Sequence, residues 1–290
     1  MFTLLFDGLA YGMLLFVLSL GLSVTLGLMN FVNLAHGAFA MAGGYIAVAA
    51  TRQAGLPFLA GLGCAFTGTG LLALALERTL YRRMYRRPHL DQVLLTIGLA
   101  FMAVAATTWW MGPSQQTVVL PAWLRGRTEI GAGPWQLAVG HYRLFVAAVC
   151  GVLALGLQLL LRYSRFGMRL RAAVEDTGIA AALGIDVDRI FLVTFCVGSG
   201  LAGLGGALAV EPMGLDPSFA LKHLALILVV VAVGGTATVA GPLAAALLLG
   251  VADVMGKYWL PQAGAFTVYA LAIGVLLWRP HGLLARRGGA

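Results

Sequence analysis

The chain is 290 residues long, 60% hydrophobic and only 10% charged, with a mean hydropathy of +0.91. A soluble domain carries roughly a quarter charged residues, so a wholly soluble protein is excluded and most of the chain belongs in lipid. The net charge of +8 and pI near 9.9 would suggest nucleic acid in a soluble protein, but here the Arg residues cluster at the ends of apolar runs and no base-reading motif is present, which excludes nucleic-acid binding.

The N-terminal stretch, MFTLLFDGLAYGMLLFVLSLGLSVTLGL, has no basic region ahead of its apolar part, so it reads as the first membrane segment rather than a cleaved signal peptide. Runs of about 17 to 25 residues that can span a bilayer follow in order. They lie at Leu9 to Leu28, Phe31 to Ala50, Pro57 to Leu76, Val93 to Met111, Leu144 to Leu161, Ile190 to Val210, Leu221 to Val239, Pro242 to Val254 with its flanks, and Ala263 to Trp278. The expectation is an all-α polytopic protein of about eight or nine hydrophobic segments, forming a single transmembrane domain over residues 1–290. The join at Met29-Asn30-Phe31 is too short and too uncharged for an ordinary loop. One of the first two segments is therefore expected to be broken or re-entrant, which is tolerated only where protein buries the freed backbone.

In the same stretch Asn30, Asn33 and His36 recur every third residue, so on a helix they would drift round one side and face a common interior path. Polar groups at membrane depth are expensive, which points to a path or binding site. The competing reading is that they bond neighbouring helices or the backbone freed by the break.

Further on, residues 77–91 hold Arg78, Arg82, Arg83, Arg86 and Arg87, and the tail holds Arg279, Arg286 and Arg287; both are expected on the cytoplasmic side together with the loop at 162–189. The intervening 112–142, poorer in cations and containing Pro113, Pro121 and Pro134, is expected to be the main outside loop. Three full crossings before residue 77 would put the N-terminus outside; a re-entrant first pair would put it inside. Trp109, Trp110, Trp259 and Trp278 fall at segment ends, where amphipathic rings favour the interface. Clusters such as Gly198-Ser199-Gly200 and Gly205-Gly206 suit close helix approach in lipid.

The longest polar interruption of the second half runs from Leu161 to Phe195. Arg162, Arg165, Arg169 and Arg171 come first, then Glu175 and Asp176, then Ala180, Ala181, Ala182, Leu183 and Gly184. Ala-rich sequence favours helix, the two acids suit its N-terminal turn and Gly184 suits its end, so a short helix parallel to the membrane is expected; the alternative is an ordinary basic loop. Later, Gly234-Gly235 and Gly241-Pro242 cannot sustain a regular helix and must break it. Such a break either offers free amide ends to an anionic group or is a tight cytoplasmic turn.

Enzymatic chemistry finds no support. Gly250 to Lys257 ends in Gly-Lys, but the spacing is wrong for a phosphate loop and Tyr258 stands where Ser or Thr is required. The five His show no metal spacing, the three Cys lie inside apolar runs, and no nucleophile motif occurs, so neither metal nor cofactor is expected. An ion-coupled carrier would need an acid at membrane depth, whereas Asp7, Glu211, Asp216 and Asp253 all lie near segment ends.

Four separated motifs resemble those of LivH-type permease subunits of branched-chain amino acid ATP-binding cassette transporters. They are Asn30-Phe31 with Ala35-His36-Gly37 and Gly44-Tyr45; Arg162-Tyr163-Ser164-Arg165 through Ala181, Leu183-Gly184-Ile185 and Asp188-Arg189; Gly234-Gly235 with the later Gly241; and Trp278-Arg279-Pro280-His281-Gly282. The older Glu-Ala-Ala signature is met loosely, by Gly178, Ile179, Ala180 and Gly184. The resemblance implies a permease of the bacterial inner membrane whose loop, from Glu175 and Asp176 through Ala180 to Gly184, docks on an ATP-hydrolysing subunit. It implies as partners a second homologous permease subunit, two ATP-binding subunits and a periplasmic solute-binding protein, besides membrane lipid. Candidates for the substrate path are Asn30, Asn33, His36, Gly234 and Gly235. The substrates implied are branched-chain amino acids, with urea, short amides and other small carboxylates carried on related scaffolds.

Overall fold

The computed structural model describes residues 1–29, 31, 33–85, 87–130, 137–235, 239–280 and 282–284. In lipid, helix meets each backbone donor within its own segment, and the apolar runs fold accordingly. In chain order the helices are α1 (Phe2–Met29), α2 (His36–Val48), α3 (Phe58–Leu76), α4 (Arg82–Met84), α5 (His89–Met111), α6 (His141–Tyr163), α7 (Arg165–Glu175), α8 (Thr177–Ala182), α9 (Val187–Met213), α10 (Phe219–Gly234), α11 (Ala240–Trp259) and α12 (Gly264–Trp278). Single π-helical turns, Ala49–Gln53 and Glu77–Tyr81, prolong α2 and α3. The exception to an all-helical reading is an antiparallel hairpin in the expected outside loop, β1 (Arg127–Ile130) with β2 (Leu137–Gly140), Arg127 lying opposite Gly140. Six helices among the described residues are long and apolar enough to cross a membrane: α1, α3 prolonged to Met84, α5, α6, α9 and α11. Helices α10 and α12 are shorter and α2 has 13 residues. The chain is a helical, multi-pass membrane protein.

The helices outrun the apolar sequence that announces them. Helix α5 begins at His89 rather than Val93, α6 at His141 rather than Leu144, and α11 runs on to Trp259 rather than Val254. A helix needs only its own backbone bonds to continue, so Asp91, Arg143 and Lys257 ride on it. In the other direction, the run expected to reach Val239 stops at Gly234, because Gly235 turns to a φ of 77°, a conformation that L side chains rarely adopt.

Helix α1 is the centre of the bundle, with Leu14 through Leu18, Leu20 and Leu22 buried; it packs on α9 and α11, while α2 packs on α9 and α3. Small residues bring these axes together. A Cβ on Gly12 of α1 would lie 2.8 Å from the Leu247 Cα of α11, and Gly43 of α2 rests on the backbone of Gly203 in α9. Helices α3, α5 and α6 leave large apolar side chains outward, such as Leu71, Phe101, Met102 and Leu155.

Two ends of the bundle are defined by contacts. At the hairpin end, the Ala138 amide donates to Thr3 Oγ1 at 3.3 Å, the Gln116 amide to the Leu215 carbonyl at 2.7 Å, Arg52 bonds Thr117, and Arg143 pairs with Asp7. At the opposite, Arg-rich end, Arg82 pairs with Asp188 and the Leu283 amide donates to the Val233 carbonyl at 2.8 Å. Both α1 and α2 reach the hairpin end, but α2 begins level with the middle of α1, where His36 meets Leu18. The second segment is thus a helix whose start lies inside the bundle.

Candidate functional site

The sequence placed Asn30, Asn33 and His36 on one helix; instead α1 ends at Met29 and α2 starts at His36, so Asn33 lies in the joint and His36 opens the next helix. The physical reason is the break itself, which destroys the threefold periodicity. Asn30 lies outside the described residues. Asn33 is wholly buried: its Oδ1 accepts from the Ala35 amide at 3.1 Å and from the Tyr81 hydroxyl at 3.2 Å, while its Nδ2 has no partner among the described residues. His36 is also buried, its Nε2 bonded to the Leu18 carbonyl at 2.7 Å, and the Leu34 amide donates to Thr96 Oγ1 at 3.2 Å. Asn33 Oδ1 and Thr96 Oγ1 thereby supply acceptors to backbone amides just ahead of a helix start inside the bundle. Phe31, Tyr81, Tyr85 and Phe195 close round the joint, with Phe31 edge-on to both tyrosines at 5.4 Å between centroids.

Gly234 and Gly235 lie elsewhere, at the Arg-rich end. A Cβ on Gly234 would sit 2.5 Å from Pro242, and Gly235 faces Gly282 in the tail. Thr236, Ala237 and Thr238 lie outside the described residues.

The polar interruption folds as two helices rather than one. Ser164 caps α7, accepting from the Gly167 amide at 3.0 Å, and α7 turns Gly167, Leu170 and Ala173 inward. Glu175, expected in a helix N-terminal turn, is the last residue of α7. Asp176 alone provides the cap of α8, its Oδ1 accepting from the Ile179 amide at 2.8 Å. The acids are adjacent, and a carboxylate one residue before the start is placed to meet the free amides, so only the second can serve. Gly184, at a φ of 80°, turns the chain away, and Asp186 caps α9. Of the small-residue run Ala180 is buried, whereas Ala181, Ala182, Leu183 and Gly184 are exposed together with Ile179.

A further cluster has no counterpart in the sequence reading. At the hairpin end a cavity of about 400 Å³ is lined by Asp7, Arg143, Lys222, His223, Asp253 and Lys257 among apolar residues of α1, α6, α9 and α11. Arg143 of α6 pairs with Asp7 of α1, and Lys257 Nζ donates to Asp253 Oδ2 at 2.6 Å. Asp253, judged from sequence to lie near a segment end, is only 7% exposed because α11 continues past it. The Asp253, Lys257 spacing on an apolar helix was a signal available in the sequence; the other members come from separate helices and share no spacing.

A family model described as branched-chain amino acid transport system / permease component matches residues 4–278. Among curated proteins, the chain is similar to the high-affinity branched-chain amino acid transport system permease protein LivH of Escherichia coli K12, with 28% identity over 97% of this chain and 94% of that protein. It is similar to BraD of Pseudomonas aeruginosa, another such permease protein, with 27% identity over 97% of this chain and 95% of that one. The permease protein LivM of Escherichia coli K12 is 27% identical over 94% of this chain and 68% of its own length. No solved structure matches the chain.

Proposed function

The chain belongs to the branched-chain amino acid transport permease family, and from that premise we propose that it carries branched-chain amino acids through the bacterial inner membrane as one permease subunit of an ATP-binding cassette importer. Its partners in this reading are a second permease, for which the likeness to LivM speaks, two ATP-binding subunits and a periplasmic solute-binding protein. The observation that carries the reading is the surface at the Arg-rich end where α8 exposes Ile179, Ala181, Ala182 and Leu183 beside the cap Asp176. An apolar, small-residue knob held between two capped helix starts suits insertion into a groove of a soluble subunit.

The Arg bias supports placing this end in the cytoplasm. With α2, α10 and α12 added to the six long helices, the chain would traverse nine times, N-terminus outside. The path is assigned to the boundary with the second permease. Of its candidates, Asn33 and His36 shape it by fixing the start of α2, and Gly234 and Gly235 by letting α10 end against Pro242; Asn30 belongs to the same group.

The test is uptake of labelled leucine, isoleucine and valine by proteoliposomes holding the assembled complex, with and without ATP and binding protein. Uptake requiring both is expected, and uptake indifferent to ATP refutes the importer. Ala181→Glu puts a charge into the knob, so loss of the ATP-binding subunits on purification and loss of uptake are expected together. An Ala181→Glu complex that assembles and transports normally removes α8 from the docking surface.

A further inference from the structure

The charged cavity at the hairpin end has an unusual balance. Two ion pairs account for Asp7, Arg143, Asp253 and Lys257, which leaves Lys222 with no carboxylate partner among the described residues. Asp7 uses Oδ2 for Arg143; its Oδ1 is buried with no hydrogen-bond partner among the described residues. The exposed cation Lys222 and the unpaired carboxylate oxygen of Asp7 thus belong to residues that line the same cavity. Leu14, Val146, Met213 and Val254 give the same cavity an apolar wall, beside Tyr11, Tyr142 and His223.

The Asp7, Arg143 pair joins α1 to α6, but fastening does not explain the rest of the arrangement. Asp253 and Lys257 lie one turn apart on α11, so their pairing joins no two helices and is worth only a few tenths of a kcal/mol by itself. The Arg143 and Lys257 side chains are 51% and 57% exposed, so solvent screens both pairs and neither adds much to stability. Charged groups of both signs gathered round one cavity, with Arg143, Lys222 and Lys257 reaching solvent, make a place where a solute carrying both charges can be received. The cavity also has an approach. A second cavity of about 710 Å³ under the hairpin shares Asp7, Tyr142, Arg143 and Pro212 with it and is lined by Arg125, Arg127 and Glu211. A solute coming from that end meets a mostly cationic vestibule before reaching the Asp7, Arg143 pair.

We infer that this cavity is a binding site for a free zwitterionic α-amino acid with an aliphatic side chain. Lys222 receives the α-carboxylate, Asp7 receives the α-ammonium through Oδ1 while keeping Arg143 on Oδ2, and the side chain lies against Leu14, Val146, Met213 and Val254. The volume fits within the range of roughly 300–1,000 Å³ common for small-molecule sites. Opposite charges lining one cavity together with an apolar wall distinguish an amino acid from a fatty acid, an amine or an amide. The inference rests on the permease reading and on the hairpin end facing outward, and it names a place for the solute that the reading does not require.

The experiment uses the assembled complex in detergent, with equilibrium binding of labelled leucine, and the same preparations in proteoliposomes for uptake. Leucine amide, which lacks the carboxylate, and 4-methylpentanoate, which lacks the ammonium, serve as competitors. Weaker leucine binding by at least about tenfold in Lys222→Gln, substantial recovery in Lys222→Arg, and competition by neither analogue are expected. Because Asp7→Asn alone strands Arg143, the double variant Asp7→Asn with Arg143→Gln leaves the net charge of the cavity unchanged; it should assemble and lose leucine binding to the same degree. Leucine binding and uptake unchanged in Lys222→Gln and in the double variant overturn this site and leave the importer standing. A parent complex that takes up no amino acid with ATP and binding protein overturns both.

Discussion

The joint between α1 and α2 and the cavity at the hairpin end both set polar side chains among apolar helices, yet they differ in where the hydrogen bonds close. At the joint, Asn33 Oδ1 and His36 Nε2 are spent on Ala35, Tyr81 and Leu18 of the same chain, with aromatic rings packed round them. At the cavity, Lys222 and Asp7 Oδ1 keep capacity that nothing in the described chain uses. Polarity at membrane depth therefore has two meanings. Asn33 Oδ1 and His36 Nε2, whose bonds close inside the chain, set backbone geometry even though Asn33 Nδ2 has no partner among the described residues, whereas the charged side chains round the cavity are the ones we read as awaiting a solute. Substitutions at the joint should lower the amount of folded complex, whereas substitutions at the cavity should leave the complex and change what it binds.

The largest effect is expected from Asn33→Leu. It removes the acceptor shared by the Ala35 amide and the Tyr81 hydroxyl, and each buried donor left unpaired costs about 1–3 kcal/mol. Against a total stability of roughly 5–15 kcal/mol this is a large share. Most of the assembled complex should be lost at growth temperature, measured as protein recovered in the monodisperse peak of gel filtration, with uptake falling in proportion. Full recovery of a complex that no longer transports would move Asn33 from the joint to the wall of the path and blur the comparison.

His36→Leu should cost less. The Leu18 carbonyl belongs to an α-helix and keeps its backbone donor, so only the side-chain bond, about 0.5–1.5 kcal/mol, is given up. A partial loss of complex is expected, with uptake per assembled complex unchanged. The sharpest contrary result would be normal assembly with selectivity altered between valine and leucine.

The contrast between the two regions also sets what could be read in advance. The break at Met29 was legible because an uncharged Met-Asn-Phe join between two apolar runs has no other good solution in lipid, and Gly235 was legible because a Gly pair ends a helix. The caps were half legible: Asp176 was recognised as a helix start, but two neighbouring acids did not reveal that Glu175 closes α7 instead. Helix extents were hidden, since charged residues at the bilayer edge remain helical without adding hydropathy. That error pushed Asp7 and Asp253 into the ends of segments and hid the cavity, whose charges meet only when α1, α6, α10 and α11 are packed. The β1–β2 hairpin was hidden as well, because four-residue strands in a polar loop leave too short a pattern.

The smallest effect separates the two regions most cleanly. Asp253 is nearly buried, and its pair with Lys257 looks at first like a buried ion pair whose rupture should be severe. Three features argue otherwise. Both residues lie on α11, so no helix contact depends on the pair; the lysine side chain is 57% exposed, so solvent screens the attraction; and exposed pairs at this spacing contribute only about 0.3–0.5 kcal/mol. Asp253→Asn with Lys257→Met removes both charges together, which avoids stranding either in the bundle, and it also removes the desolvation cost of the carboxylate. The unfolding midpoint of the purified complex should accordingly shift by no more than about 2 °C, the scale of a few tenths of a kcal/mol for a domain of this size. A fall of many degrees would mean that the pair fastens the bundle as the joint does.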